Sequence, residues 1–175
     1  FKGDVSELQI EGIPVSDTNG LYGGSVSDDN SGTMQYISIR HGGAEIGEGN
    51  EINGLTLGGV GSGTVIDHIE VIANVDDGIE FFGGTVNASY LLVWGQGDDA
   101  LDIDQAYSGT IDDAYVILED ASDHGMEIDG PEGSAAGSFT IKNVTIDGAS
   151  KSGKALGVDG EIADFRKAAT GSLSN

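Results

Sequence analysis

The chain has 175 residues, which fits one domain, and 38% hydrophobic residues are enough to build a core. A formal net charge of −23 repels phosphate backbones and so argues against nucleic acid as a partner. Without Cys, neither a disulfide framework nor a thiolate zinc site can form, and no apolar run is long enough to span a membrane. Thirty Gly and two Pro favour short strands punctuated by turns.

The opening of the chain is rich in turn residues. The segments Glu11–Pro14, Ser16–Gly20 and Ser27–Gly32 predict irregular turns and one early coil within residues 1–32. Regular coils are expected over residues 33–160, and residues 161–175 are expected to form either a loop or the start of another coil. We interpret residues 1–175 as a single domain.

A short pattern of a small, an apolar, a variable and an apolar residue repeats at steps of 24, 22, 25 and 30 residues. Its rows are Gly54–Leu57, Gly78–Phe81, Ala100–Ile103, Gly125–Ile128 and Ala155–Val158. A second apolar register precedes each row: Ile37/Ile39, Ile69/Val71, Leu91/Val93, Val116/Leu118 and Val144/Ile146. Two short strands per repeat predict an all-β fold, a right-handed parallel β-helix solenoid. The alternative is a β-sandwich, whose strands would return antiparallel.

Period-two alternation places the apolar residues of each row inside the solenoid, with Leu55, Ile79, Leu101, Met126 and Leu156 stacked on one another. A solenoid needs caps at both ends to shield its core, and neither Phe1–Gly3 nor Gly171–Asn175 has the composition of a cap. We therefore expect the chain to be a fragment of a longer protein.

Several segments resemble a group of exported β-helical proteins of Bacteroidetes-type and other marine bacteria, many of them lipoproteins or secreted multidomain proteins. The segments are Ser38–Gly43, Gly49–Gly59, Val75–Gly84, Leu92–Asp104 and Ser122–Gly133. The resemblance implies a pectin-lyase-like fold, export to the outer membrane or cell surface, and a longer parent with an upstream signal sequence or lipid anchor. It implies no activity.

Acidic residues recur at matching positions of successive coils, about 4.8 Å apart. Outward-facing residues form two columns, and the turns that enter the same strands add a third set. The first column is Glu80, Asp102 and Glu127; the second is Phe82, Asp104, Asp129 and Asp159; the turns add Asp76/Asp77, Asp98/Asp99 and Asp123/His124. Carboxylates at this spacing repel one another strongly, so some other interaction has to offset the repulsion.

Two explanations need no catalysis. Asp favours turn conformations, so the pairs can be turn residues beside a solvated face. Calcium takes about six to eight oxygen ligands, which makes Asp76, Asp98 and Asp123 candidate metal ligands, although the Gly-Gly-x-Gly-x-Asp calcium repeat is absent. The three His fall on separate coils and do not predict a transition-metal site.

The third explanation is catalysis. Glycoside hydrolases use two carboxyl groups about 5–5.5 Å apart for retention or roughly 6.5–9.5 Å apart for inversion. Candidate catalytic residues are Asp77, Asp99, Asp102 and His124.

The run from Asp76-Asp77 through Asp98-Asp99 and His124-Gly125 to Lys154 loosely resembles polygalacturonase-type hydrolases. However, the Asn-Thr-Asp, Gly-His-Gly and Arg-x-Lys motifs of that family are not matched. A polysaccharide lyase fits less well, because its base would be Lys or Arg and Arg40 lies on a different strand register.

Ligand-binding candidates are Trp94, which faces outward and can stack on a sugar, together with Glu80, Asp104 and Glu127. We interpret the chain as a secreted or cell-surface binding or structural module with an acidic face that calcium can occupy. Its expected partner is a glycan or another surface or outer-membrane protein. The alternative is a carbohydrate-active enzyme that uses the acidic ladder.

Overall fold

The computed structural model describes residues 8–10, 13–44, 46, 52–131, 136–148 and 162–175. They form thirteen strands and one short 3₁₀ helix at Thr18–Gly20. The strands are β1 (Leu8–Gln9), β2 (Leu21–Tyr22), β3 (Thr33–Arg40), β4 (Leu55–Gly58), β5 (Val65–Ile72), β6 (Ile79–Phe82), β7 (Asn87–Trp94), β8 (Leu101–Asp104), β9 (Thr110–Ile117), β10 (Met126–Ile128), β11 (Phe139–Asp147), β12 (Ala163–Phe165) and β13 (Gly171–Ser174).

Two parallel sheets form the body of the molecule. The long-strand sheet has the order β13-β11-β9-β7-β5-β3, and the short-strand sheet has the order β12-β10-β8-β6-β4. Successive strands of the chain alternate between the sheets, and each strand pairs in parallel with the equivalent strand of the next coil. This confirms the parallel β-helix and rules out the antiparallel sandwich.

The rows of the short-strand sheet pair as predicted from β4 to β10. Leu55 is in register with Ile79, Ile79 with Leu101, and Leu101 with Met126. The next row differs, because Met126 pairs with Ala163 of β12. The prediction that Ala155–Val158 forms this row is wrong, and Leu156 lies outside the described residues.

The register of the long-strand sheet also differs from the predicted register in one place. Val93 pairs with Val116, which pairs with Ile146, so the fourth apolar pair is Ala114/Val116 and not Val116/Leu118. The turn between β9 and β10 is two residues longer than the turns between β5 and β6 and between β7 and β8. Val71 and Val93 precede Ile79 and Leu101 by eight residues, whereas Val116 precedes Met126 by ten.

Each long strand from β3 to β11 bends at one residue with a left-handed backbone. These residues occupy one column of the sheet, with φ between 52° and 57°: Tyr36, His68, Tyr90, Asp113 and Asn143. Left-handed φ is uncommon for residues other than glycine, so five in one column mark a regular corner of the coil.

The core lies between the two sheets. Ile79, Phe81, Leu101, Ile103 and Ile128 are fully buried, as the alternation predicts.

The N-terminal part packs on the outer side of the short-strand sheet. Strand β1 pairs antiparallel with β2, and the ring of Tyr22 packs against Phe82, with ring centroids 5.7 Å apart. Phe82 faces outward yet is only 2% exposed, because this segment covers it. The segment therefore borders the acidic face described next.

Candidate functional site: a buried acidic face on the short-strand sheet

The short-strand sheet carries the acidic residues on its outer side. Glu80 of β6 pairs in register with Asp102 of β8, which pairs with Glu127 of β10. The predicted first column is therefore confirmed. We use the term acidic site for Asp77, Glu80, Asp98, Asp99, Asp102 and His124, which β6, β8, β10 and the turns before them bring together.

The turns stack through their own side chains. Oδ1 of Asp77 accepts a hydrogen bond from the backbone N–H of Asp99 at 2.9 Å. One coil further on, Oδ1 of Asp99 accepts one from the N–H of His124 at 2.7 Å. Each carboxylate thus holds the turn of the next coil, and the turn-residue explanation applies to Asp77 and Asp99.

The turns also rest on a buried polar column. Nδ2 of Asn74 donates to the carbonyl of Asp77 at 2.7 Å, and Nε2 of Gln96 donates to the carbonyl of Asp98 at 3.2 Å. Oγ of Ser122 donates to the carbonyl of Gln96 at 2.7 Å. These buried and partly buried bonds hold the backbone that presents the acidic side chains.

The side chains fall into overlapping groups whose ligand atoms all lie within 4.8 Å of one another. The groups are Asp77, Glu80 and Asp102; Asp76, Asp77 and Asp98; Asp98, Asp99 and Asp123; and Asp99, His124 and Glu127. All four candidate catalytic residues and all three candidate metal ligands therefore lie in one connected cluster. The fourth group adds His to two carboxylates, which the separation of the three His along the sequence did not predict.

Burial dominates the electrostatics of the site. Asp77, Glu80, Asp99 and His124 are 8%, 1%, 4% and 5% exposed. Desolvation raises the pKa of Asp77 well above its usual range, and repulsion from Asp76 raises it further. Desolvation also raises the pKa of Asp99, although hydrogen bonds from His124 oppose the effect.

Asp102 has the most perturbed environment of the outward column. Desolvation is the largest cause of a pKa well above the usual range of Asp, followed by repulsion from Asp77 and Asp104. Its Oδ1 is buried and has no hydrogen-bond partner among the described residues. A buried oxygen without a donor is costly, so the position favours either a proton or a cation.

Asp98 lies at the exposed rim of the same cluster. Partial burial and repulsion from Asp99 and Asp123 raise its pKa to about 6. Within the described residues, no Lys or Arg pairs with Asp77, Asp98, Asp99 or Asp102. Among the described residues, protons or a bound cation are therefore left to neutralise this part of the face.

The C-terminal end of the face is neutralised by the protein itself. Arg166, which follows β12, pairs with Glu127 and donates to Oδ1 of Asp129 at 2.8 Å. Nζ of Lys167 lies 2.6 Å from Oδ2 of Asp129. Arg166 follows the row at the position where the sequence predicted Asp159, so that prediction is wrong. In the sequence, the neutralised end was indicated only by Arg166-Lys167, an isolated basic pair in an acidic chain.

The remaining predicted residues are not members of these groups. Trp94 ends β7 on the long-strand sheet, 41% exposed, and the structure does not bring it to the acidic face. Asp104 ends β8 in the second outward column, in register with Phe82. Arg40 pairs with Glu70 on the long-strand sheet. Lys154 lies outside the described residues.

Comparison with known proteins agrees with this architecture. Residues 13–174 match the family model of the pectate-lyase-like β-helix domain. No curated protein and no solved structure matches the sequence significantly. The described residues contain no helix with the length and apolar character needed to cross a membrane. With nearly the whole chain matched, the protein belongs to the family of pectate-lyase-like β-helix domains.

Proposed function

We propose that the chain is a binding module of an exported, cell-surface protein, and that its acidic site binds calcium. The observation that carries the proposal is the group of Asp77, Glu80 and Asp102, whose carboxylate oxygens lie within 4.8 Å of one another. The Oδ1 atom of Asp102 is buried there without a hydrogen-bond partner among the described residues.

The donor set fits a hard cation. All three residues supply carboxylate oxygens, which calcium prefers, and two neighbouring coils present them from strands and turns held by backbone hydrogen bonds. Carboxylates close to a divalent cation keep their negative charge, so binding would reverse the raised pKa values of Asp77 and Asp102. The expected role of the cation is to offset the repulsion between successive coils and to offer a charged contact to an acidic glycan or protein.

Calcium binding can be tested by isothermal titration calorimetry of the wild type, Asp102→Asn and Asp113→Asn. Asp113 is an exposed carboxylate on the long-strand sheet with a left-handed backbone that Asn tolerates, so it is a matched control. We expect Asp102→Asn to weaken calcium binding at least about tenfold, since a charged ligand is lost. Asp113→Asn should leave binding unchanged.

Thermal melts provide a second measurement. A ligand that binds only the folded state raises the melting temperature, so millimolar calcium should stabilise the protein. Magnesium should stabilise it less, because it requires a tighter octahedral shell. Identical melts in calcium and in EDTA, together with no heat of binding, would rule the site out.

A second candidate is a glycoside hydrolase, favoured by the closeness of the carboxylates and by the pKa of Asp98 near 6. Oxygens within 4.8 Å match the shorter separation of retaining enzymes better than the roughly 6.5–9.5 Å of inverting ones. A lyase is less well supported, because Arg166 already pairs with Glu127 and Asp129 and is poorly placed to act as a base.

A further inference from the structure

A column of exposed aromatic rings lies on the outer surface of the long-strand sheet. Tyr36, His68 and Tyr90 occupy the bend position of β3, β5 and β7. The ring centroids of Tyr36 and His68 lie 4.5 Å apart, and those of His68 and Tyr90 lie 4.6 Å apart. Tyr36 and Tyr90 are nevertheless 77% and 53% exposed. Contiguous exposed rings on a highly charged protein indicate a binding surface.

Two more exposed rings lie on the same sheet, in the part of each strand that follows the bend. Trp94 at the end of β7 and Tyr115 of β9 are 41% and 43% exposed. Nε1 of Trp94 donates a hydrogen bond to Oε1 of Glu119 at 2.9 Å, which holds the indole in one orientation. We use the term aromatic face for Tyr36, His68, Tyr90, Trp94 and Tyr115.

The rings of the column are positioned by the backbone and by one another. All three of its residues have left-handed backbones, with φ between 52° and 54°, and adjacent rings stack with planes tilted by 30° and 32°. Nδ1 of His68 lies 3.0 Å from Oδ2 of Asp67. A ligand that docks on rings already fixed in place loses little additional side-chain entropy, so the face is preorganised for binding.

Hydrogen-bonding groups run beside the rings in the neighbouring column. Nε2 of Gln35 donates to Oδ2 of Asp67 at 2.9 Å, and Oγ of Ser89 donates to Oδ1 of the same carboxylate at 3.0 Å. The face therefore combines apolar ring surface with ordered amide, hydroxyl and carboxylate groups. Sugars present the same combination, because a pyranose ring has an apolar C–H face and a rim of hydroxyl groups.

The charged residues on the long-strand sheet limit which partners can bind the aromatic face. Hydrogen bonds lower the pKa of Asp67, of Glu70 and of Asp112, so these groups are ionised and, with a net charge of −23, repel a polyanion. The same carboxylates are already engaged within the sheet, since Glu70 pairs with Arg40 and Asp112 with Lys142. These three carboxylates are therefore already paired, while Asp113 is an exposed carboxylate one coil beyond Tyr90. Because the rings themselves are uncharged and their neighbouring polar groups are engaged, an uncharged partner fits the face best.

We propose that the aromatic face binds an uncharged glycan chain, whose sugar rings lie against Tyr90, Trp94 and the exposed side of Tyr36. The site goes beyond the proposed calcium site, because it lies on the other sheet and uses none of the same residues. Glycan binding here is therefore expected to be independent of calcium.

Trp94 is the only Trp in the sequence, so intrinsic fluorescence reports directly on this face. The experiment titrates the protein in EDTA with cellohexaose, mannohexaose and laminarihexaose, and with polygalacturonate and polylysine as charged comparisons. We expect at least one neutral hexasaccharide to change the fluorescence saturably. Asp102→Asn should leave this response unchanged, which separates the outcome from that of the calcium proposal.

Two variants locate the binding. Tyr90→Gly removes a ring while keeping a left-handed backbone that Gly accepts, and Ser62→Ala is a control at an exposed position in the turn between β4 and β5. We expect Tyr90→Gly to weaken glycan binding about tenfold or more, and Ser62→Ala to change it less than about twofold. Melting curves verify that both variants are folded.

Three results would overturn the proposal. The first is the absence of saturable binding by any neutral hexasaccharide, or equal weakening by Tyr90→Gly and Ser62→Ala. The second is a salt-sensitive response to polylysine alone, which would assign the face to a basic partner. The third is a dimer in analytical ultracentrifugation that Tyr90→Gly dissociates, which would assign the face to a second copy of the chain.

Discussion

Oδ1 of Asp99 lies 2.7 Å from the backbone nitrogen of His124 and 2.9 Å from its Nδ1. One carboxylate oxygen therefore holds both the backbone and the imidazole of a residue in the next coil. Both side chains are almost fully buried, at 5% and 6% exposure. The carboxylate of Asp99 therefore has two roles: it stabilises the turn of the next coil, and it belongs to the group of candidate metal ligands.

Substitution of Asp99 separates these two roles. Asp99→Ala removes the acceptor for a buried N–H and should lower the free energy of unfolding by about 1–3 kcal/mol. Asp99→Asn keeps an acceptor oxygen and removes a charge from the cluster, so it should cost clearly less. Urea denaturation of both variants measures the difference. Equal losses would show that the hydrogen bond to His124 does not stabilise the turn.

Met126→Asp tests the core. Met126 is 4% exposed and stacks between Leu101 and Ala163. An unpaired charge at this position should cost about 3–5 kcal/mol, which corresponds to a fall in melting temperature of roughly 10 °C or more. Thr145→Asp, at an exposed position of β11, is the control and should melt close to the wild type. A melt of Met126→Asp within a few degrees of wild type would contradict the inward orientation.

The raised pKa values predict an unusual pH dependence in EDTA. Asp77, Asp98, Asp99 and Asp102 bind protons more tightly in the folded state than in the unfolded state. Stability should therefore fall as pH rises from about 4 to about 7, because over this range the folded protein still holds protons that the unfolded chain has already released. The lowered pKa values on the long-strand sheet act in the opposite sense, mainly below pH 4.

Melting temperatures at several pH values, with EDTA or with calcium, measure this dependence. Calcium should flatten the slope, since it replaces the protons in the cluster. A melting temperature in EDTA that rises between pH 5 and pH 7 would show that the carboxylates are not mutually repelling. Asp98→Asn should remove part of the slope near pH 6.

Enzymatic turnover distinguishes the binding module from the hydrolase. If the chain is a module, the purified protein should release neither reducing sugar nor unsaturated product from pectin, alginate or neutral glycans, with or without calcium. Mass spectrometry of the digests gives the measurement. Reproducible turnover that Asp99→Asn and Asp102→Asn abolish would favour the hydrolase.

For the rows from β4 to β10, the alternating pattern was sufficient to predict which residues enter the core. Ile79, Leu101 and Met126 are buried because a strand directs alternate side chains to opposite faces, and each row has the same spacing between its apolar residues. The column of Glu80, Asp102 and Glu127 followed from the same rule, since parallel pairing places equivalent residues side by side.

The exact register required the tertiary structure. A shift of two residues preserves a period-two pattern, so the sequence could not distinguish Val116/Leu118 from Ala114/Val116. Only the hydrogen bonds between β7, β9 and β11 settle that choice. The last row was likewise misplaced: the pattern favoured Ala155–Val158, whereas Met126 pairs with Ala163.

The burial, pairing and pKa values of the acidic residues likewise depend on tertiary packing. Sequence alone determined that carboxylates would line one face, because their columns follow from the strand repeat. Burial of Glu80, the bond from Asp99 to His124 and the approach of Arg166 to Glu127 join residues that are distant in sequence. Desolvation and pairing depend on those neighbours, so the raised pKa values and the neutralised C-terminal end of the face are properties of the folded coil alone.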